Sequence, residues 1–241
     1  MRNVLLIARR DLMAYLLSPS GYVIAAAVLL IDGVLFNAFA LGGGESLSAK
    51  VLRDFFYFSS GTTMVLGVLL SMRLVSEERQ SGTIVLLRTS PVSSTELVLG
   101  KYLSAMVFLG GITLATLYMP LLILVNGKIS LGHLAAGYLG LGLLGSASVS
   151  IGLLGSTLSR SQVTAGILGG AMLVGLLVLW LVARQADPPF SGVLAGLALY
   201  SRHQPPFMEG VVHLRDVVYY VSITYFFLLA SVRSVNAQRW D

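Results

Sequence analysis

The stretch GYVIAAAVLLIDGVLFNAFAL, residues 21–41, carries a single charged side chain, Asp32. A bilayer's hydrocarbon core is about 30 Å thick, so a crossing helix needs roughly 20 apolar residues. Lipid offers no partner to an unpaired backbone amide, so only a fully hydrogen-bonded helix is stable there. The stretch therefore predicts a transmembrane helix, and five more follow outward from it: 55–72, 102–125, 134–158, 163–183 and 217–232. The last reaches only about 24 Å at about 1.5 Å per residue, which calls for local bilayer thinning or for extension into its flanks. The expected fold is all-α, one integral membrane unit over 1–241 with six transmembrane helices.

Composition agrees. The chain has 241 residues, 56% hydrophobic and 11% charged, where a soluble domain carries roughly a quarter charged residues. Its net charge of +5 comes from 16 basic residues scattered between apolar runs. A basic face for nucleic acid is thereby excluded, and the charge reads as membrane orientation. With the start in the cytoplasm, Arg2, Arg9, Arg10, Arg73, Arg79, Arg88, Lys101, Arg160, Arg233 and Arg239 lie inside. Lys50, Arg53, Lys128, Arg184, Arg202 and Arg215 then lie outside. That bias favours a multi-pass protein of the cell inner (cytoplasmic) membrane with both termini cytoplasmic. A cleavable signal fits badly, because Arg9, Arg10 and Asp11 interrupt the first apolar residues. Cysteine is absent, so thiols provide neither a disulfide framework nor a metal site.

Three segments outside the spans have patterns of their own. Residues 1–20 mix Leu5, Leu6, Leu12, Leu16 and Leu17 with Arg2, Arg9, Arg10 and Asp11, as an amphipathic interfacial helix does, and Ser18-Pro19 ends it. The alternative, a longer first span, would bury three charges. Residues 184–216 contain an apolar portion, 190–200, too short to cross and bracketed by Pro188, Pro189, Pro205 and Pro206, which predicts a re-entrant or surface helix. Glycine and serine crowd the fourth and fifth spans. Gly166 and Gly170, one turn apart, have the spacing of a membrane-helix contact, read as packing within the chain with a contact between two copies as the alternative.

The connection 74–100 is too long for an ordinary loop and contains VSEERQSGTIVLLRTSPVSSTELVLG, residues 75–100. Ser81 or Gly82 starts a short helix over 83–88, and Pro91 ends it. Ser93 or Ser94 then caps the next helix, with Glu96 near its positive end. A short helix presenting Ile84 and Leu87 suits either docking into a partner's groove or lying on lipid.

Glu77-Glu78-Arg79, Gly82-Thr83, Leu86-Leu87, Pro91-Val92-Ser93, Glu96-Leu97 and Gly100-Lys101 resemble the coupling-helix signature of type-2 ATP-binding-cassette permeases. The resemblance implies that this helix sits in a cleft of a cassette ATPase, with the paired carboxylate at the cytoplasmic end of the second span. It makes Glu77, Glu78, Gly82, Thr83, Ile84, Leu86, Leu87, Arg88 and Pro91 the ATPase-coupling residues. Val85 stands where the family often has an acid, so one polar bond to the ATPase is expected to be missing. Ala8-Arg9-Arg10-Asp11, Ser18-Pro19 and Gly21-Tyr22-Val23 resemble the gliding-motility-type permeases of that family. So do Gly210-Val211-Val212 and Arg215-Asp216-Val217-Val218-Tyr219.

No phosphate-binding loop is present, since Gly100-Lys101 and Gly127-Lys128 lack both the preceding glycine and the following hydroxyl. The chain is thus not expected to be an enzyme or to hold a cofactor. ATP and Mg would be bound by the partner ATPase, contacted also by Arg160 in the short turn with Ser159 and Ser161. His133, His203 and His213 are dispersed, which argues against a metal centre, and Gly145-Ser146-Ala147-Ser148 reads as helix packing rather than a nucleophile. Asp32, an acid inside a span, either lines a pathway or is a hydrogen-bonded link between helices.

The expected partners are a cassette ATPase, a second permease (a homodimer or a heterodimer with a related chain), lipid and an external envelope protein. The expected role is export of a substrate. A mechanical transmitter and a structural anchor are the competing readings.

Overall fold

The computed structural model describes residues 2–41, 48–82, 92–123 and 128–238, and among these every regular element is a helix. Six stretches are long and apolar enough to span a membrane: Pro19–Phe39, Ser48–Gln80, Ser94–Ile123, Leu131–Leu158, Gln162–Gln185 and Leu214–Ala237. The elements are α1 (Arg2–Leu17), α2 (Pro19–Leu35), continued by a π-helical turn over Phe36–Leu41, α3 (Ser48–Ser71), α4 (Ser76–Gln80), α5 (Ser94–Ala115), α6 (Tyr118–Ile123), α7 (Leu131–Leu158), α8 (Gln162–Gln185), α9 (Phe190–Leu197), α10 (Pro205–Met208) and α11 (Leu214–Ala237).

A single residue separates α1 from α2. The Ser18 hydroxyl accepts from the Gly21 amide at 3.1 Å, and Pro19 occupies the first turn, where its missing N–H would have had no helical partner. A side chain at position 21 would put its Cβ 2.0 Å from the Tyr15 carbonyl, so this corner requires glycine.

Helix α7 forms the centre, packed by α3, α5, α8 and α11. Its Leu141, Leu144, Ala147, Val149, Ile151 and Leu153 are fully buried, whereas α2 shows Leu30, Ile31 and Val34 outward. Because lipid tails are as apolar as these side chains, close packing rather than water exclusion holds the helices together, and glycine permits it. A Cβ on Gly152 would lie 1.9 Å from the Ser71 Oγ of α3, and one on Gly155 would lie 2.7 Å from the Gly169 amide of α8. The contact between α7 and α8 therefore runs through Gly152, Gly155 and Gly169. It does not use the Gly166–Gly170 pair: Gly166 faces Met72, and a Cβ on Gly170 would meet nothing. Spacing identified a small-residue face but not the side turned to the partner.

The structure chooses between two expected outcomes for the last span and adds a break in the third. The last span is a helix of 24 residues, about 36 Å long at about 1.5 Å per residue, so extension into its charged flanks replaces bilayer thinning. The third span is broken between α5 and α6. Pro120 has no amide to offer Thr116 and crowds its carbonyl, and the Thr116 hydroxyl donates back to the Thr113 carbonyl at 2.7 Å.

The connection from α8 to α11 carries α9 and α10, both too short to cross, and folds back on the bundle. The Leu199 amide donates to the Leu176 carbonyl of α8 at 3.2 Å, and the Tyr219 hydroxyl of α11 donates to the Leu197 carbonyl at 2.7 Å.

Candidate functional site

At one end of the bundle α4 follows α3 after a short turn, and three consecutive side chains on it point to different neighbours. Successive helical residues are about 100° apart, so a single turn reaches three directions. Glu77 accepts from Arg73 in the turn after α3 at 3.1 Å, and Arg73 also donates to Ser20 Oγ of α2 at 2.9 Å. Glu78 pairs with Lys101 of α5 and Arg10 of α1, both at 2.8 Å. Arg79 donates to the Ser159 carbonyl after α7 at 3.0 Å and to the Gln238 amide oxygen at the end of α11. Gln238 in turn donates to the Thr157 carbonyl at 3.1 Å.

Among the described residues these ion pairs form a neutral group. Asp11 pairs with Lys101 at 3.1 Å and with Arg10 at 2.8 Å, so two carboxylates meet two cations. Lys101 is only 2% exposed, and an ammonium so buried is stable only because both acids are held against it. Burial pulls the Arg10 guanidinium down, but the neighbouring Asp11 and Glu78 carboxylates outweigh it and leave its pKa above the ordinary value. Burial also raises the Tyr15 phenol well above its usual range; it stays protonated and donates to the Leu70 carbonyl at 2.9 Å. Asp11, Tyr15, Arg73, Glu77, Glu78 and Lys101 surround a cavity of about 260 Å³.

The turn before α4 is fixed by one hydroxyl. Ser156 Oγ of α7 accepts from the Val75 and Ser76 amides, each at 3.0 Å, and donates to the Met72 carbonyl at 3.2 Å. One donor and two lone pairs are all a serine hydroxyl has.

Beyond α4 the chain reaches Gly82 at φ +72°, a left-handed conformation suited to glycine. Thr83, Ile84, Leu86, Leu87, Arg88 and Pro91, the core of the sequence-predicted coupling helix, lie outside the described residues, as does Val85. The chain returns at Ser93, one of the two serines expected to cap α5. Its hydroxyl accepts from the Glu96 amide at 3.2 Å while Glu96 accepts from the Ser93 amide at 3.0 Å. Asn3 of α1 donates to the same carboxylate at 3.1 Å. A Cβ on Gly100 would lie 2.8 Å from Ile7, so the Gly100-Lys101 step lets α1 approach α5 and then ties the two by charge.

Of the sequence-predicted residues, the structure thus brings Glu77, Glu78 and Gly82 to one end. Arg160 is exposed at that end too, next to the Ser159 carbonyl that Arg79 holds. Sequence reasoning missed Asp11 and Lys101 as partners of Glu78. The available signal was a lysine entering an apolar span, which needs a counter-charge, and a lone acid in the basic helix α1.

Asp32 lies elsewhere, in the last turn of α2. It is 4% exposed, accepts from Thr62 Oγ1 at 2.7 Å and borders a void of about 10 Å³. Thr62 also lines a much larger apolar groove of about 690 Å³, walled by α2, α3, Leu177 of α8 and Tyr200. Asp32 does not line that groove. At one of its ends Ser60 donates to the Tyr200 hydroxyl at 3.0 Å, and burial pushes the Tyr200 phenol up to about 12.

The far end of the bundle has its own polar cluster. His203 Nδ1 lies 2.7 Å from Asp216 Oδ1 and Nε2 lies 3.1 Å from the Gly196 carbonyl, with the ring stacked on Tyr219. The Tyr220 hydroxyl lies 3.0 Å from both the Leu199 carbonyl and the Gln204 side-chain oxygen. No group of three or more His, Cys, Asp or Glu among the described residues is placed to hold a metal.

A polytopic helical bundle whose second and third spans are joined through a charged, many-armed base defines a class: the membrane-embedded subunit of a transport machine. The chain belongs to the ABC-2 family of transporter proteins, whose family model matches residues 15–234. Membership makes it a multi-pass membrane transport component that works with a cassette ATPase. No curated protein matches it.

Proposed function

We propose that the chain is the permease subunit of an exporter, closest to the gliding-motility-type permeases, with both termini in the cytoplasm. A separate ATPase, holding ATP and Mg, docks on residues 83–91 and on Arg160. The observation that carries this reading is the base built on Glu77, Glu78 and Arg79. One short helix adjoining the docking segment is bonded directly to α1, α5, the end of α11 and the α7–α8 turn, and through Arg73 to Ser20 of α2, so a push there is passed to most of the bundle. Nucleotide binding would then favour one of two arrangements of the spans.

The groove beside α3 supplies half of a path, completed by a second copy or a related permease. Asp32 acts on it through Thr62, and Asp32→Asn is expected to change substrate-stimulated ATPase. Unchanged turnover and transport would remove Asp32 from the path. The reading as a whole is tested by co-purifying the chain with a cassette ATPase and crosslinking from Thr83→Cys and Leu87→Cys. Crosslinks to the ATPase support it, while crosslinks to lipid alone with the ATPase present would end it.

A second reading is mechanical transmission to an external envelope protein. It is favoured by the attachment of the 186–213 connection to α11 through His203, Tyr219 and Tyr220, which lets that segment follow the spans. Substrate movement by a reconstituted complex without any external protein would argue against it.

A further inference from the structure

Residues 2, 5, 9, 12 and 16 of α1 are three and four apart and so form one stripe. Arg2, Leu5 and Arg9 are exposed at its start, while Leu12 and Leu16 turn onto an apolar groove of about 290 Å³. Ala25 and Leu29 of α2 and Gly111 and Ala115 of α5 form its other walls. A Cβ on Gly111 would meet nothing, and Leu16 and Val107 at the rim are 40% and 49% exposed, so the groove opens sideways to the bilayer. From Gly21 to Leu29 it climbs about 12 Å into the span at about 1.5 Å per residue. It sits at the bottom of the roughly 300–1,000 Å³ range of small-molecule pockets, and no charged side chain lines it. Its shape and lining therefore suit one hydrocarbon chain.

Charge stands at its mouth. Arg9 precedes Leu12 by one turn and Arg2 lies two turns further out, and neither has an acid partner among the described residues. On the neighbouring face of the same helix, Arg10 is fully engaged by Asp11 and Glu78. A slot running into hydrocarbon beneath an uncompensated guanidinium matches a lipid with an anionic headgroup, because basic side chains at the surface attract acidic lipids and a guanidinium forks onto phosphate.

We propose that α1, α2 and α5 form a binding site for an anionic phospholipid of the leaflet along which α1 lies, its phosphate on Arg9 and one acyl chain in the groove. The site rests on α1 lying at the membrane surface and is independent of the ATPase. Bound there, the lipid would brace the same helix that carries Asp11 to the base.

The test uses the full-length chain, delipidated in detergent and offered phosphatidylglycerol or phosphatidylcholine with identical acyl chains, with retained lipid counted by native mass spectrometry. Phosphatidylglycerol should be retained preferentially. Arg9→Gln, at an exposed position, should lower that retention about fivefold, the loss expected for one basic side chain near an acidic headgroup, and leave phosphatidylcholine unchanged. Gly111→Leu, which fills the groove, should abolish retention of both. Equal retention of the two lipids by the unaltered chain would overturn the proposal, as would an Arg9→Gln protein that keeps its phosphatidylglycerol. A Gly111→Cys protein that crosslinks to itself would also overturn it, by showing a second copy in the groove. ATPase co-purification, measured on the same variants, should not change, so loss of lipid and loss of the ATPase are separate outcomes.

Discussion

The two ends of the bundle are both polar, yet they are built differently. At the base, Asp11, Lys101, Glu78 and Arg10 come from three helices far apart in sequence and form a charge-balanced group, with α4 at its centre. At the far end, His203 and Gln204 lie within a few residues of α10, and their partners Asp216 and Tyr220 begin the next helix. The first arrangement joins spans to one another by charge, and the second fastens one local connection to several spans, to α11 through His203, to α8 through the Leu199 amide, to α3 through Tyr200 and to α7 through the Met208 carbonyl. The base thus depends on charges brought together from distant segments, whereas the far end depends mainly on hydrogen bonds made by one connection.

The sharpest way to break this contrast is Lys101→Ala, which leaves the mostly buried Asp11 and Glu78 carboxylates with Arg10 as their remaining cation among the described residues. A stability loss of about 3–5 kcal/mol is expected, read as thermal unfolding in detergent, and a loss under 1 kcal/mol would mean the charge group does not hold the base. At the other end Asp216→Asn should cost less, about 1.5–3 kcal/mol for a charged hydrogen bond. It should also raise protease sensitivity in 186–213 while leaving ATPase coupling intact. Between the ends, Gly152→Ala pushes α7 off α3 and should cost about 1–3 kcal/mol through overpacking, with Gly170→Ala as the silent control. The smallest effect is expected from Ser93→Ala, which removes one cap of α5 for about 1 kcal/mol. It should lower stability without changing substrate-stimulated ATPase if the cap serves folding alone.

The particular residues show why some of this architecture is readable in the chain and some is not. Ser18-Pro19 stops a helix by local chemistry, and the break between α1 and α2 falls there. Ser93 and Glu96 cap α5 for the same reason, since both partners are three residues apart. The hydropathy reading of the last span stopped at Arg215, Asp216 and Arg233, but the helix continues through them because His203 meets the aspartate at one end. The Gly166–Gly170 spacing was visible, but the face that α8 turns to α7 depends on where α7 lies.

Sequence alone determined the number of spans, their order and the break after Ser18, because hydrocarbon thickness, proline sterics and capping act over a few residues. Only the tertiary structure decided that α7 is central, that Lys101 and Asp11 meet Glu78, and that Asp32 lies behind Thr62 rather than in the groove. Those outcomes depend on which faces of separate helices come together. In lipid, an apolar residue against a neighbour and one against an acyl chain look the same in the sequence, so only close packing and paired charge tell them apart.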